Sequence, residues 1–514
     1  MITLESYVCG KWHTGTGQPR PLHNPATGEV LAQINADGID FGAVVAHGRD
    51  VGSPALSELG FGGRAGLLKA LSAALHEHRD ELIQISTENG GNTRGDAKFD
   101  IDGATGTLAA YAAFGKHLGT GNRLPDGEGV QLGRTPRWWG QHILVPRSGV
   151  AVHINAFNFP GWGMGEKMAC AILAGVPVIE KPGTPTALLA WRMARIIVDS
   201  SILPEGAFQF IAGSTGDLLD RLGPQDCMSF TGSSKTGALL KSNGTLLRKN
   251  VRVNIEADSV NSSILAPDAD GDAEAYNLFL QNTVIEMTQK CGQKCTAVRR
   301  ILVPQDRVED VVTDLKDRLS YIKVGDPIDA DNRMGPLASK EQFHDVRAGI
   351  QKLMAVAEVA CGGPDPIADK GFFVAPTLLV AKDARAAQIH GDEVFGPVAT
   401  VIPYSGDTGE AIELANLGGG CLVASIYGND RSWIETVVQG LSPWHGRIWI
   451  GTDKVAGHAM SPGAVLPQTV HGGPGRAGGG EELGGLRGLS FYLQRTAVQG
   501  YQGLVAQAFG PAVT

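Results

Sequence analysis

From residue 148 the chain alternates short apolar runs with single amphipathic stretches. SGVAVHINAF reads as a buried strand, MGEKMACAILAG as a helix that stops at Gly175, and VPVIEKP as the next strand. TALLAWRMARIIVDS then gives a helix and AFQFIAG a strand, followed by the strand CMSFTG and the helix SSKTGALLKS. A helix between two strands returns the chain to run in the same direction, so this pattern specifies a parallel, doubly wound sheet. A second α/β stretch follows from about 255 to 450. The fold class is α/β with two such units, and 514 residues suit two domains with appendages.

The flanking regions differ in texture. Residues 60–118 are helical, with apolar positions three and four apart in GRAGLLKALSAALHEHRDELIQIST. GTGNRLPDGEG is a turn-rich break, and VQLGRTPRWWGQHILVPRS reads as a pair of short strands. Residues 455–488 are glycine-dense and loop-like, and LSFYLQRTAVQG is a terminal strand. As lone surface strands, WWGQHILV and LSFYLQRTAV would be aggregation-prone edges, so they either pack against their own subunit or pair across a subunit interface.

Composition narrows the function class. A net charge of −9 argues against nucleic acid as a partner. MITLESYVCGKWHTGTG has neither a basic n-region nor an apolar h-region, and no run of 18 apolar residues exists, so neither a signal peptide nor a membrane span is expected. Seven cysteines at irregular spacing suggest reduced thiols in a cytoplasm. Only Cys291 and Cys295 are close, and one C-x3-C pair is a poor zinc site, so no metal is expected.

Four segments carry candidate chemistry. In MTQKCGQKCTAVRR, Cys295 has Lys290, Lys294, Arg299 and Arg300 nearby in sequence, and positive charge favours the reactive thiolate; a buried structural cysteine is the other reading. In VNIEADSVNSS, Glu256 is a carboxylate that could activate water or close a strand-end salt bridge. Asn158 in HINAFNFP is an oxyanion donor or a turn former. Gly232 and Gly237 of FTGSSKTG stand between a strand and a helix, where backbone amides can approach a pyrophosphate.

FNFP, EKP, FTGS, the glutamate of IEADS, GQKCT and EVFGPV, in this order, resemble the NAD(P)-dependent aldehyde dehydrogenase superfamily over nearly the whole chain. The resemblance implies Cys295 as nucleophile, Glu256 as general base, Asn158 in the oxyanion hole and Lys167 in a proton relay with the base. It places Ile154, Lys181, Gly213, Phe230, Gly232, Ser233 and Gly237 around the adenosine and phosphates, and Glu393 and Phe395 at the nicotinamide ribose and ring. It further implies a cofactor-binding domain of residues 1–118 and 147–254 and a catalytic domain of 255–455. An oligomerisation arm of 119–146 and 486–514 follows, whose strands the resemblance implies pair across a homodimer, with 456–485 as a glycine-rich loop returning toward the active site.

Three departures matter: EADS replaces ELGG, Cys291 is an extra thiol, and the carboxy-terminal motif is HGGPGRAGGGEELGG. The first and last resemble the dehydrogenases of aerobic aromatic degradation that oxidise CoA-linked semialdehydes, of the 3,4-dehydroadipyl-CoA or 3-oxo-5,6-dehydrosuberyl-CoA semialdehyde type. In that subfamily a glutamate of GGGEELGG assists the relay, here expected to be Glu481, with Glu482 as the alternative. Some relatives carry a further hydratase domain; a chain ending at 514 is expected to have dehydrogenase activity only. A CoA-acylating or free-aldehyde dehydrogenase and a catalytically silent binding protein are the alternatives. After Lys181 the chain reads Pro182, Gly183, Thr184, without the glutamate that binds ribose hydroxyls in NAD-preferring relatives. NADP is therefore the expected cofactor, with NAD usable, in a cytoplasmic homodimer acting on a small-molecule aldehyde. Thr184 would contact the 2′-phosphate or cap the following helix.

Overall fold

A computed structural model describes residues 1–511, so the last three positions of the expected arm lie outside the described residues. The first sheet runs Arg252–Glu256, Cys227–Thr231, Ala151–Ile154, Val178–Lys181 and Phe208–Phe210 in parallel, and Ser6–Val8 and Lys11–His13 extend it antiparallel. Successive side chains of each strand point to opposite faces. Ala151, Val178, Phe210 and Cys227 therefore pack against the helices Gly60–Glu77, Arg94–Lys116 and Trp162–Ala174. Their neighbours Val152, Ile179, Ile211 and Met228 pack on the other face with Phe41, Val44 and Leu246. Burial on both faces explains why these strands read as continuous apolar runs.

The second sheet has the order Ala357–Cys361, Thr377–Ala381, Val398–Tyr404, Val298–Pro304, Asn261–Leu265, Cys421–Tyr427, His445–Gly451. It is parallel apart from its first strand. Glu256 is the last residue of the first sheet, two positions past the expected boundary. Outside both sheets, Leu493–Tyr501 pairs antiparallel with Trp138–Pro146, from Leu493↔Pro146 to Tyr501↔Trp138. The two strands expected to pair across a subunit interface thus pair with each other, because nine consecutive residues satisfy the inner backbone groups of both.

The glycine-dense stretch is not all loop. Val470–Gly472 and Glu481–Leu483 form an antiparallel ribbon, with His471 opposite Glu482. The ribbon rests on the strand that ends at Glu256: Gly480 N–H donates to Ile255 O (3.0 Å) and Ala257 N–H to Ala477 O (2.9 Å). A Cβ on Gly478, whose φ is +103°, would lie 2.3 Å from Ile255 O. Only glycine allows this backbone-on-backbone approach.

Candidate active site

In a doubly wound sheet, ligands bind beyond the carboxyl ends of the strands where the strand order reverses. Here Ala151–Ile154 is the reversal point, flanked by Val178–Lys181 and Cys227–Thr231. Ile154 is in register with both Lys181 and Phe230, so these three form a row along the crevice. An open groove lined by Phe230, Gly232, Ser233, Glu393 and Phe395 ends at Asn158, Glu256 and Cys295, while Ile154 and Lys181 of that row do not line it. A second cavity of about 480 Å³, narrow and walled by Phe99, Phe159, Trp162 and Val465, reaches the same Asn158, Glu256 and Cys295 from the other side. The sulfur lies where the two meet.

Several features suit the groove to a dinucleotide. Ser233 caps the helix Ser234–Lys241 by accepting from Thr236 N–H, so a helix N-terminus faces the groove, although Ser234 N–H is already engaged by Asp258 Oδ1 at 2.9 Å. Glu393 Oε1 is buried without a hydrogen-bond donor, a vacancy that ribose hydroxyls can fill. Burial pushes the Glu393 carboxyl up to about 8, against the pull of Arg299. Lys181 is brought down to about 8, first by burial and then by Arg20. Thr184 makes no cap: Gly183 precedes the short turn Thr184–Thr186, and no side-chain cap bond forms. Two of the expected glycines lie off the groove. Gly213 packs on Ala36, and Gly237 sets the approach of its helix to Ile255.

Cys295 follows a tight turn in which Lys290 and Cys291 both adopt left-handed backbone (φ 54° and 55°) before Gly292. Asn261 Nδ2 donates to Cys295 O (2.8 Å) and Ala297 O (3.0 Å), and Arg299 donates to Gly292 O and Lys294 O. These bonds hold a strained turn in place. Cys291 is buried among Leu302, Val346 and Val394, away from both cavities.

Three of the four cations beside Cys295 in sequence do not serve it. Lys294 pairs with Glu286 at 2.6 Å, Lys290 lies over the Phe159 ring, and Arg300 donates to backbone carbonyls. Burial, followed by Glu256, Glu166 and Glu393, pushes the thiol well above its ordinary range. The expectation of a cation-stabilised thiolate is therefore corrected: three of the four cations are buried against other partners, and Arg299, which does lie near the sulfur, is outweighed by burial and the carboxylates.

Glu256 is buried, and the donor atoms of Glu256, Cys295 and His471 lie within 4.8 Å of one another. Burial opposes ionisation of Glu256, but His471 and Lys167 outweigh it and hold the carboxyl below its usual range. Asn158 Nδ2 donates to Gln293 O (3.1 Å), which fixes its amide beside the sulfur. Lys167 makes ion pairs with Glu166 (3.3 Å) and Glu482 (3.2 Å) rather than with Glu256 itself. Glu482 also accepts from Ser229 Oγ and Asn254 Nδ2. Glu481, the expected relay residue, is exposed on the other face of the ribbon, and it is Glu482 that meets Lys167. Sequence left Glu482 as the alternative to Glu481 and did not single out His471.

The aldehyde dehydrogenase family matches residues 12–498. The chain belongs to the aldehyde dehydrogenase family. It is an NAD(P)-dependent oxidoreductase acting on the aldehyde group. It is 44% identical over 480 residues to the 3,4-dehydroadipyl-CoA semialdehyde dehydrogenase of Aromatoleum evansii, covering 92% of this chain and 93% of that one. The phenylacetaldehyde dehydrogenase of Pseudomonas fluorescens is 28% identical, with 96% and 95% covered. Among solved structures, lactaldehyde dehydrogenase from Escherichia coli aligns with a TM-score of 0.85 at 25% identity, over 97% of this chain and 99% of that chain. Betaine aldehyde dehydrogenase from Staphylococcus aureus in complex with NAD+ aligns at 0.84 and 25%, over 97% and 95%. Among the described residues, no helix of this aldehyde dehydrogenase is long and apolar enough to cross a membrane.

Proposed function

We propose that this aldehyde dehydrogenase oxidises a CoA-linked semialdehyde from aromatic degradation, of the 3,4-dehydroadipyl-CoA type, to the carboxylate, with NADP preferred over NAD. The observation that carries the reaction type is the sulfur of Cys295 at the junction of a dinucleotide-sized groove and a narrow aromatic cavity. The substrate class rests on the 44% identity to the Aromatoleum evansii enzyme. The Phe99, Phe159 and Trp162 walls suit the apolar acyl end of such a substrate and leave its bulky polar end outside.

Cys295 attacks the aldehyde carbon, and the developing oxyanion faces the Asn158 amide. A nicotinamide cofactor, which Glu393 and Phe395 would hold, would supply the hydride acceptor, and loss of hydride from the Cys295 adduct gives a thioester. Glu256, ionised beside the sulfur, takes a proton from water as that water attacks the thioester. Lys167 with Glu166 and Glu482 forms a buried charged path away from Glu256. Cofactor choice follows from Lys181 and Thr184, which present a cation and an uncapped hydroxyl where many relatives place a carboxylate.

The test is reduced-nicotinamide formation with a panel of CoA-linked and free semialdehydes, each with NADP and NAD. The expected result is the highest kcat/KM with a CoA-linked semialdehyde and NADP, giving a free acid. Equal use of free aldehydes would overturn the substrate class, and an acyl-CoA formed only with added CoA would overturn hydrolysis. Glu256→Gln should keep a burst of reduced cofactor while steady turnover falls, because thioester formation precedes water activation.

A further inference from the structure

The reaction needs a thiolate, yet burial and three carboxyl groups oppose one at Cys295, and three of the four neighbouring cations in sequence are engaged elsewhere. Besides the Glu256 carboxylate, one nitrogen base faces the sulfur. His471 Nε2 stands 3.8 Å from Cys295 Sγ and 3.5 Å from Glu256 Oε1, and the imidazole is 4% exposed. A neutral nitrogen presenting its lone pair to an ionised carboxylate is repelled by it. A proton on that nitrogen turns repulsion into attraction for the carboxylate and the sulfur together. The thiol is the acid beside it that can supply that proton.

We propose that His471 is a catalytic residue of the acylation half-reaction: its Nε2 takes the Cys295 proton, and the imidazolium then lies against both the sulfur and the Glu256 carboxylate. The S–H bond breaks and an N–H bond forms, and the electron pair left on sulfur makes the C–S bond to the carbonyl carbon. The carbonyl π pair moves onto oxygen, beside Asn158. When water later displaces the sulfur, the proton returns from Nε2 to the departing thiolate. Glu256 thereby stays ionised through acylation and is ready to take the proton of water. The inference rests on the thiohemiacetal chemistry proposed above, but its test needs no aldehyde.

The groups facing His471 are Cys295 and Glu256, Glu166 from the helix Trp162–Ala174, Arg447 from the second sheet, and Glu482 opposite it in the ribbon. Burial and Arg447 oppose the imidazolium, whereas Glu256 and Glu166 outweigh them and hold the imidazole above its ordinary range. The same carboxylates that favour the imidazolium make the neutral form the stronger base, and it is the neutral form that takes the thiol's proton.

The experiment is the rate of Cys295 alkylation by iodoacetamide against pH in the full-length enzyme, read by mass spectrometry of the Cys295 peptide. Wild type, His471→Ala and Glu256→Gln are compared. In His471→Ala the inflection is expected to move to higher pH by at least one unit, about a tenfold loss of reactivity near neutrality, with the alkaline plateau retained. Added imidazole should restore the neutral rate. In Glu256→Gln the carboxylate that opposes the thiolate is gone, so neutral reactivity should not fall; a fall would assign the proton to Glu256 and overturn the proposal. A His471→Ala profile superimposable on wild type overturns the proposal. If His471→Ala does not fold, His471→Gln decides: an alkaline shift of the inflection supports His471, and a profile superimposable on wild type overturns the proposal.

Discussion

Cys291 and Cys295 are the same side chain four positions apart, and their surroundings separate them. Cys295 opens onto both cavities, whereas Cys291 is packed among the apolar residues of the second domain. Cys295→Ala should abolish aldehyde oxidation while cofactor binding persists. Cys291→Ala should retain most activity and lose on the order of 1 kcal/mol of stability through the small void it leaves. Steady-state rates and thermal unfolding of both variants check this; a dead Cys291→Ala beside an active Cys295→Ala would reverse the assignment. Lys181 gives a second prediction at this scale. With its ammonium brought down to about 8 by burial and by Arg20, it loses its charge as pH rises through that value. A 2′-phosphate then loses its cation, whereas a 2′-hydroxyl is little affected. The ratio of kcat/KM for NADP to that for NAD should therefore fall between neutral pH and about 9. Thr184→Glu should lower the ratio at all pH values, through charge repulsion. A ratio constant with pH, or unchanged in Thr184→Glu, would count against the NADP reading.

At the scale of elements, the ribbon Val470–Gly472 with Glu481–Leu483 decides most of the site's polar geometry. Its position depends on glycine, since a side chain on Gly478 would meet Ile255 O at 2.3 Å and would have to adopt a φ of +103°. Gly478→Val should therefore cost roughly 1–3 kcal/mol through overpacking, read as a lowered Tm. It should also reduce turnover more than Glu481→Gln does, because it displaces His471 and Glu482 while Glu481 faces solvent. Equal turnover in Gly478→Val and wild type would show that the ribbon does not set the site. The same ribbon explains where sequence reading stopped. The strands and helices from 148 to 256 were legible because strands buried on both faces must be continuously apolar and the helices between them periodic. The ribbon is three residues on each side, rich in glycine and without apolar alternation, so it read as loop. Without a strand there was no alternation to choose between Glu481 and Glu482, and a shift of one residue exchanges the two faces. His471 was hidden for the same reason: its partners come from distant segments. The cations of MTQKCGQKCTAVRR misled in the opposite sense. Adjacency in sequence placed them beside the thiol, while Lys294 pairs with Glu286 and Arg300 with backbone carbonyls.

At the scale of the molecule, the arm formed by Trp138–Pro146 and Leu493–Tyr501 remains to be accounted for. Pairing with each other satisfies only one side of Leu493–Tyr501, which is the outermost strand of its sheet. Along that strand Arg495, Thr496, Ala497, Gln499 and Tyr501 are exposed, and the apolar side chains of Trp138 and Leu504 are 55% and 64% exposed nearby. An outer strand with unpaired backbone groups and exposed aromatic and aliphatic side chains is a template for pairing with a further strand. Closed two-fold pairing of identical subunits covers such an edge without leaving another open, whereas open pairing would produce fibres. The expected state is therefore a homodimer in which this edge is covered, although the two arm strands complete each other within one subunit. Light scattering at micromolar concentration should give twice the 54.0 kDa chain mass or a higher even multiple. Proline at Thr496 or Val498, whichever directs its N–H outward, should weaken the assembly, since proline removes a backbone donor from the strand. A wild-type monomer would mean that the edge is left uncovered and would defeat the assembly reading, while the catalytic proposals, built on a site within one chain, would stand.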